Sequence, residues 1–471
     1  MRTYLETLGC QMNKLDSELV VGMLRESEHT FVDDPKQAEL VIYNTCSVRE
    51  HAEDKVLSRL GWHDKRQADG AAAVVGVIGC MAQRMGGELT KRFASVDFVC
   101  GPGQIHRLPD LIDAALDGRE PVALDPARSE PRDAAAEAGI NRLDVSRRAN
   151  ALADEPALAT LCDAQAYVRV ARGCNQFCSY CIVPFVRGPE RSRPPQAITE
   201  EVRKLLDAGI TDVTLLGQTV NSYRHAEPNG PTTRFADLLA HLSCLPGLRR
   251  LRFVTSHPAG FTRDVLEAIR GLPNVCEYIH CPAQHGSDSQ LQAMNRGYSR
   301  AEYDDFVAMA REVVPEVVLA SDFIVGFPGE READHQQSTE LIRQAGFKNS
   351  FIFKYSPRPG TMAERTYADD IPDDVKKRRN AELLAVQNAA SLAHHEGYVG
   401  REMEIIVTGP SARHDKQATP PTPQRMQLMG RSRGDHIVIV DGPERLIGQY
   451  VDVTVTGAND RSLFGDLRRQ P

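Results

Sequence analysis

The sequence predicts a mixed α/β protein in three parts: an N-terminal parallel α/β domain, a central partial (β/α) barrel and a small C-terminal all-β barrel. Three observations carry this reading. Over residues 1–120, short apolar runs alternate with one-sided helical patterns. A second and longer series of strand and helix signals begins at Tyr167 and continues to about residue 380. Past Val399 the pattern changes to alternating, β-branched runs split by tight turns. A chain of 471 residues has room for about three such domains.

In the first part, Thr3 to Leu8, Glu39 to Asn44, Ala73 to Ile78 and Val96 to Val99 read as strands. Leu15, Leu19 and Met23 recur every four residues after Asn13, the period of a helix with one buried face. From about 125 to 164 the chain is rich in Ala, Asp and Arg, carries Pro126, Pro131 and Pro156, and reads as a linker with one weak helix. The expected boundaries are 1–120, a linker over 121–164, then 165–396 and 397–468. In the central part, Tyr167 to Ala171, Asp212 to Leu216, Arg249 to Thr255, Glu277 to Ile279, Val317 to Val325 and Ser350 to Lys354 read as strands. Thr199 to Ala208 reads as a helix capped at Thr199, with Glu200 and Glu201 early, Val202, Leu205 and Leu206 apolar and Gly209 as its stop. About six βα units predict a parallel barrel with its chemistry at the C-terminal ends of the strands. In the last part, Met403 to Val407, His436 to Val440 and Tyr450 to Val455 are separated by Gly-Pro, Arg-Gly-Asp and Asp-Gly-Pro turns, the pattern of a barrel of about five strands.

Composition narrows the function classes. Hydrophobic residues at 41% and charged residues at 25% exclude wholesale disorder. The longest nearly uncharged apolar run, Ala71 to Ala82, is 12 residues, short of the ~20 of a membrane-spanning helix. Met1 to Glu6 opens no secretory signal, so the expected location is the cytoplasm, with no membrane partner. A net charge of −8 excludes a wholly basic nucleic-acid coat, and any RNA site must be regional. Eleven cysteines, an odd number without an export signal, point to free thiols for metal or redox chemistry rather than to disulfides.

Three of those thiols sit in Arg172-Gly-Cys174-Asn-Gln-Phe-Cys178-Ser-Tyr-Cys181, at spacings of four and three directly after a strand. A zinc site or three core cysteines are the plain alternatives, but a closed zinc site needs a fourth ligand and the nearest downstream His is His225. Three cysteines for four irons leave one iron open to bind a substrate or cofactor. The spacing, Tyr180 before the third Cys and the position at the first loop of a βα barrel resemble the radical S-adenosylmethionine (SAM) superfamily. That resemblance implies a 4Fe-4S cluster whose open iron chelates SAM, with cleavage to a 5′-deoxyadenosyl radical. It also places Gly217 and Gln218 of Leu215-Leu-Gly-Gln, and Ile324 and Gly326 of the Asp322 to Glu330 stretch, at the SAM site.

A second set follows apolar runs in Thr7-Leu-Gly-Cys10, Tyr43-Asn-Thr-Cys46 and Val77-Ile-Gly-Cys80, separated by 36 and 34 residues, about one βα repeat each. Three neighbouring strands would deliver these thiols to one sheet edge, although buried Cys is common at strand ends and Cys100 follows a strand in the same way. Taken together, Leu8-Gly-Cys10-Gln-Met-Asn13 with Asp16-Ser17-Glu18, Asn44-Thr-Cys46-Ser-Val-Arg49-Glu50, Gly79-Cys80-Met-Ala-Gln83-Arg84 and the Cys174 loop resemble the methylthiotransferases. Thr255-Ser-His257-Pro258, Gly286-Ser287-Asp288 and Tyr355-Ser-Pro-Arg358-Pro-Gly360-Thr361 extend the likeness over nearly the whole chain. The resemblance implies that Cys10, Cys46 and Cys80 hold an auxiliary 4Fe-4S cluster and that the last part is a TRAM RNA-binding domain. Cys281 and His285 depart from the usual Leu and Ser, and the linker is long; Cys100, Cys162, Cys244, Cys276 and Cys281 are expected to be structural thiols.

Within that family, Gln11 and Met12 stand where the enzymes acting on ribosomal protein S12 have Pro-Lys and those acting on threonylcarbamoyladenosine have Lys-Val. The expected reaction is therefore methylthiolation at C2 of N6-isopentenyladenosine beside the tRNA anticodon, with Met12 as an apolar wall for the isopentenyl tail. The alternatives are those two other substrates, or a non-catalytic iron-sulfur RNA-binding sensor. An electron donor such as flavodoxin or ferredoxin is implied, while the sulfur donor stays open. Residues 165–195 carry Arg169, Arg172, Arg187, Arg191 and Arg193 against Glu190 alone, which predicts phosphate contacts from Arg187, Arg191 and Arg193.

Overall fold

The computed structural model describes residues 1–48, 50–70, 73–126, 143–144, 162, 164–227, 230–412 and 422–468. Strands β1 (Arg2–Leu8), β2 (Thr30–Phe31), β3 (Leu40–Thr45), β4 (Val74–Gly79), β5 (Phe98–Cys100) and β6 (Val122–Ala123) form one parallel sheet in the order β2-β1-β3-β4-β5-β6. Apolar clusters cover both faces: Val20, Leu24, Ile42 and Leu111 on one, Val41, Val56, Val77 and Leu89 on the other. This is why β3 reads as a continuous apolar run: a strand buried on both sides needs no alternation. The expected linker falls mostly outside the described residues, and its weak helix is described only at Leu143 and Asp144.

The central part holds β7 (Gln165–Arg169), a short hairpin of β8 (Ala171–Arg172) and β9 (Arg191–Ser192), then β10 (Asp212–Leu216) and, after the β11/β12 hairpin (Arg224–Ala226, Thr232–Arg234), β13 (Arg250–Phe253). It continues with β14 (Tyr278–His280), β15 (Val318–Val325) and β16 (Asn349–Lys354). Parallel trios β13-β10-β7 and β14-β15-β16 meet through the parallel Leu251–Val275 bridge, giving a six-stranded partial barrel. Its core lies between strands and outer helices, where Val168, Val213, Leu251, Phe323 and Val325 meet Val202, Leu239, Leu266 and Leu341.

One helix begins a turn earlier than the sequence suggests. It runs Pro195–Asp207 with proline at its first position, which needs no amide partner there. Thr199, expected as the cap, lies inside the helix and its hydroxyl donates back to Pro195 O at 2.8 Å.

A helix over Asp373–Glu396 leads to β17 (Glu402–Pro410), β18 (Met426–Ser432), β19 (Ile437–Gly442), β20 (Tyr450–Ala458) and β21 (Leu463–Leu467), a closed barrel in the order β17-β18-β19-β21-β20. Ile405, Leu428, Val438, Val453 and Leu463 fill it. Its β18–β19 turn enters the base of the central barrel: Arg252 donates to Ser432 O at 2.8 Å, Arg433 to Val275 O at 2.6 Å and Lys348 to Asp435 O at 2.6 Å.

Candidate active site

Register explains how three thiols distant in sequence converge. Leu8 pairs with Thr45 and Thr45 with Gly79, so β1, β3 and β4 end level and Cys10, Cys46 and Cys80 follow at one edge. Gly79 makes the turn at φ 93°, where an added Cβ would lie 2.6 Å from Asn44 Oδ1. Beneath the thiols Asn13 Nδ2 donates to Asn44 Oδ1 at 2.9 Å, and Asn44 Nδ2 donates to Asn13 O at 2.8 Å and to Ser17 Oγ at 2.9 Å. These fully buried amides lock the start of the Gln11–Glu26 helix, just past β1, to the end of β3.

The thiols are electrostatically unequal. A hydrogen bond from Cys46, with Arg187 nearby, draws Cys10 down to about 5. The same bond and burial push Cys46 up, while burial raises Cys80 against the opposing charge of Arg187. Arg187 Nε donates to Cys80 Sγ at 3.2 Å and its Nη2 to Asp16 Oδ2 at 3.1 Å.

The second trio occupies the loop after β8. Gly173 opens it at φ 70°, where a Cβ would meet Pro189 O at 2.1 Å. Cys174 N donates to Gly188 O at 3.1 Å, Cys181 N to Cys178 O at 3.0 Å, and Ser179 Oγ to Ala293 O at 2.8 Å. Arg296 Nη1 donates to Cys178 Sγ at 3.1 Å, so each trio has a buried guanidinium on one sulfur. Burial and the neighbouring Cys178 push Cys181 up to about 12. Three soft thiol donors per site, brought to one sheet edge in the first trio and carried on one loop in the second, fit iron-sulfur ligation.

The two trios are neighbours. Cys80 packs on Ile182, the residue after Cys181, and on Val186. Cys10 packs with Met12, Leu15, Tyr167, Leu216 and Val254 at the barrel's inner face. Met12, expected as an open apolar wall, is thus buried in the seam between the two parts.

The strand ends expected at the SAM site border the Cys174 loop. Thr255 Oγ1 donates to Gly217 O at 2.6 Å, and Thr219, just past the half-exposed Gln218, reaches Cys174 Sγ at 3.8 Å. Thr255 itself holds φ 64°, a strained conformation for a β-branched residue. Ile324 packs in a cluster with Tyr180 and Phe327. Gly326 N donates to Glu330, which also pairs with His285 Nε2 at 3.0 Å and Arg379 Nη1 at 2.9 Å. Through Glu330, His285 therefore anchors the Gly326 turn. Cys281 is buried in the main core, as a structural thiol would be.

The arginines require correction. Arg187 and Arg193, expected on RNA phosphates, are 6% and 3% exposed and turned inward. Arg193 Nη1 donates to Glu201 at 2.7 Å; Asp144 accepts from Arg169 and Arg172, with Arg193 Nε 3.6 Å away; Asp16 accepts from Arg169 at 2.8 Å and from Arg187. Burial works against the Asp144 charge, but Arg169, Arg193 and Arg172 hold its carboxyl well below the usual range. The three acids lie outside the window whose charge looked unbalanced, and this is why a local count misled. Arg191 alone of the three keeps partial exposure. Arg296 and Asp144 carry no motif in the sequence, whereas Asp16 stands in the Asp16-Ser17-Glu18 stretch beside Cys10.

Comparison with known proteins agrees in all three parts. Residues 2–101 match the uncharacterized protein family UPF0004, 168–342 the radical SAM superfamily and 396–467 the TRAM domain. The chain is 42% identical over 466 residues to the tRNA-2-methylthio-N(6)-dimethylallyladenosine synthase of Rhodopirellula baltica, covering 99% of this chain and 95% of that one. It is 40% identical to the Bordetella avium protein of the same name, covering 98% and 92%. In fold it is similar to a radical S-adenosylmethionine methyltransferase, TsrM, from Kitasatospora setae, at a TM-score of 0.53 and 15% identity over 77% of this chain and 74% of that one.

Proposed function

The chain belongs to the tRNA-2-methylthio-N(6)-dimethylallyladenosine synthase family, and from that premise we infer that it replaces the C2–H of N6-isopentenyladenosine beside the tRNA anticodon with C2–S–CH3. It is a radical SAM enzyme with two 4Fe-4S clusters, one held by Cys174, Cys178 and Cys181 and the other by Cys10, Cys46 and Cys80. When bound, the first would supply the reducing electron for SAM cleavage, and the second would carry the sulfur to be transferred. The observation that carries the reading is the abutment of the two trios at Cys80 and Ile182, beside the open end of the barrel.

The chain's own residues do the positioning. Gly217, Gln218, Ile324 and Gly326 border the first trio and would seat SAM, with Glu330 and His285 fixing the turn at Gly326. Asp16, Arg169 and Arg187 tie the sheet that bears the second trio to the barrel that bears the first, and this fixes their separation. An unactivated aromatic C–H offers no acidic proton, so a carboxylate or imidazole base has little purchase and hydrogen abstraction is the fitting chemistry. The TRAM barrel adds RNA surface, and Arg191 is the remaining phosphate candidate of its group. A low-potential donor of the flavodoxin or ferredoxin class reduces the enzyme in the cytoplasm; among the described residues no helix is long and apolar enough to cross a membrane.

Nucleoside mass spectrometry tests this. Cells lacking the protein should contain isopentenyladenosine without its methylthio group; the wild type should restore the group and C10A/C46A/C80A should not, although that purified variant still cleaves SAM to 5′-deoxyadenosine. Persistence of the methylthio nucleoside in the deletion strain, with loss of the mass increment on ribosomal protein S12, would move the enzyme to the ribosomal substrate.

A further inference from the structure

Two large aromatic side chains on the last strand of the barrel serve neither cysteine trio. On β16, Phe351 is 53% and Phe353 42% exposed, and their rings stack at 6.4 Å with an interplanar angle of 20°. Register places them opposite Asp322 and Ile324, on the same face of β15, while Phe323 and Val325 on the other face are buried under the outer helices. The aromatic pair therefore faces the concave interior. His280 of β14 lies edge-on to Phe351 at 6.3 Å and shares a hydrogen bond with Asp322 Oδ1 at 3.0 Å.

This face is continuous with the proposed site at both ends. Ile324, opposite Phe353, packs with Tyr180 of the Cys174 loop. Val254 contacts Tyr278, Val318 and Ala320 on the inner face and also belongs to the apolar cluster that contains Cys10 and Met12. A group lying on Phe351 and Phe353 would thus sit between the wall that bears SAM and the wall that bears the auxiliary cysteines.

We propose that Phe351 and Phe353 are the stacking platform for the target adenosine and its N6 substituent, with the His280–Asp322 pair as the polar edge beside it. The proposal rests on the tRNA reading above and names the residues that position the base. Two half-exposed phenyl rings leave apolar area in water that a covering group removes, and single-stranded loop bases are recognised by stacking on such rings. An isopentenyl tail adds neutral apolar surface to the same faces. A carboxylate-bearing target is poorly matched, because the basic groups near the platform are already committed: the His280 imidazole to Asp322, Lys348 to Asp435 and Lys354 to Asp373.

The test uses anaerobically reconstituted holoenzyme and a synthetic anticodon stem-loop, with and without the isopentenyl group. F351A/F353A should bind the prenylated loop roughly tenfold more weakly, with iron content and RNA-independent 5′-deoxyadenosine formation unchanged. F351Y/F353Y, which keeps the rings, should retain the affinity. Unchanged binding by the alanine variant overturns the platform, as does equal loss in the tyrosine variant. If the wild type binds the prenylated loop well yet never methylthiolates it, the functional reading fails and the platform stands.

Discussion

At the residue scale, the arginines near the first cysteine loop show how burial decides a role that charge counting leaves open. A guanidinium in water beside a phosphate and one sealed against two carboxylates look alike in sequence. Arg193 is of the second kind, held by Glu201, Asp144 and the Arg169 carbonyl. Removing one partner of such a buried pair leaves the others uncompensated and costs about 3–5 kcal/mol. Arg193→Ala should therefore lower stability in chemical denaturation by about that amount while leaving the salt dependence of tRNA binding unchanged. A flattened salt slope with unaltered stability would return Arg193 to the RNA interface.

At the element scale, most strands were legible because each carries its own signal. A run buried on both faces, such as Leu40–Thr45, is apolar throughout, and the level ends of β1, β3 and β4 follow once the parallel sheet is assumed. The cysteine trios were legible in two ways: Cys10, Cys46 and Cys80 each come just after a strand, and Cys174, Cys178 and Cys181 share one loop at a telling spacing. What was not legible depends on contacts between elements: the early start of the Pro195 helix, the parallel pairing of β19 with β21, and Arg296 on Cys178. One such contact joins the Asp373–Glu396 helix to the TRAM barrel. His394 stacks on His436 with their Nε2 atoms 2.9 Å apart, and His395 Nδ1 meets Asn459 O at 2.8 Å. Burial, with Lys348 and the neighbouring imidazoles, holds His394 down to about 4 and lowers His395 and His436 as well. Because these folded values lie below the ordinary value of about 6.5, the imidazoles contribute stability that is complete above that pH and lost as pH falls toward about 4. Amides of Ile437–Gly442 should accordingly lose hydrogen-exchange protection between pH 6.5 and 4.5, and His436→Asn should reduce that dependence. Protection independent of pH over this window would mean that the imidazoles tolerate protonation in place.

At the scale of the whole molecule, the three parts interlock. The N-terminal sheet is tied to the barrel through Asp16, and the TRAM barrel closes the opposite end, where the strands begin. The base of the barrel carries Arg250, Arg252 and Lys348, buried cations that the TRAM part satisfies. Arg250 donates to Arg431 O at 2.7 Å and to Glu404, Arg252 to Ser432 O, and Lys348 to Asp435; Arg433 returns the exchange by pairing with Glu277 at 2.6 Å. An appended RNA-binding module would leave the catalytic part intact when removed. Here removal would strip partners from three cations and open the barrel base to water, since among the described residues of the central part only Asp212 pairs with Arg252. Truncation after residue 396 should therefore lower the thermal midpoint and reduce RNA-independent formation of 5′-deoxyadenosine, in addition to weakening tRNA binding. Should the truncated protein keep its midpoint and its SAM cleavage while losing only RNA affinity, the TRAM barrel would be a tether and not a structural closure of the barrel.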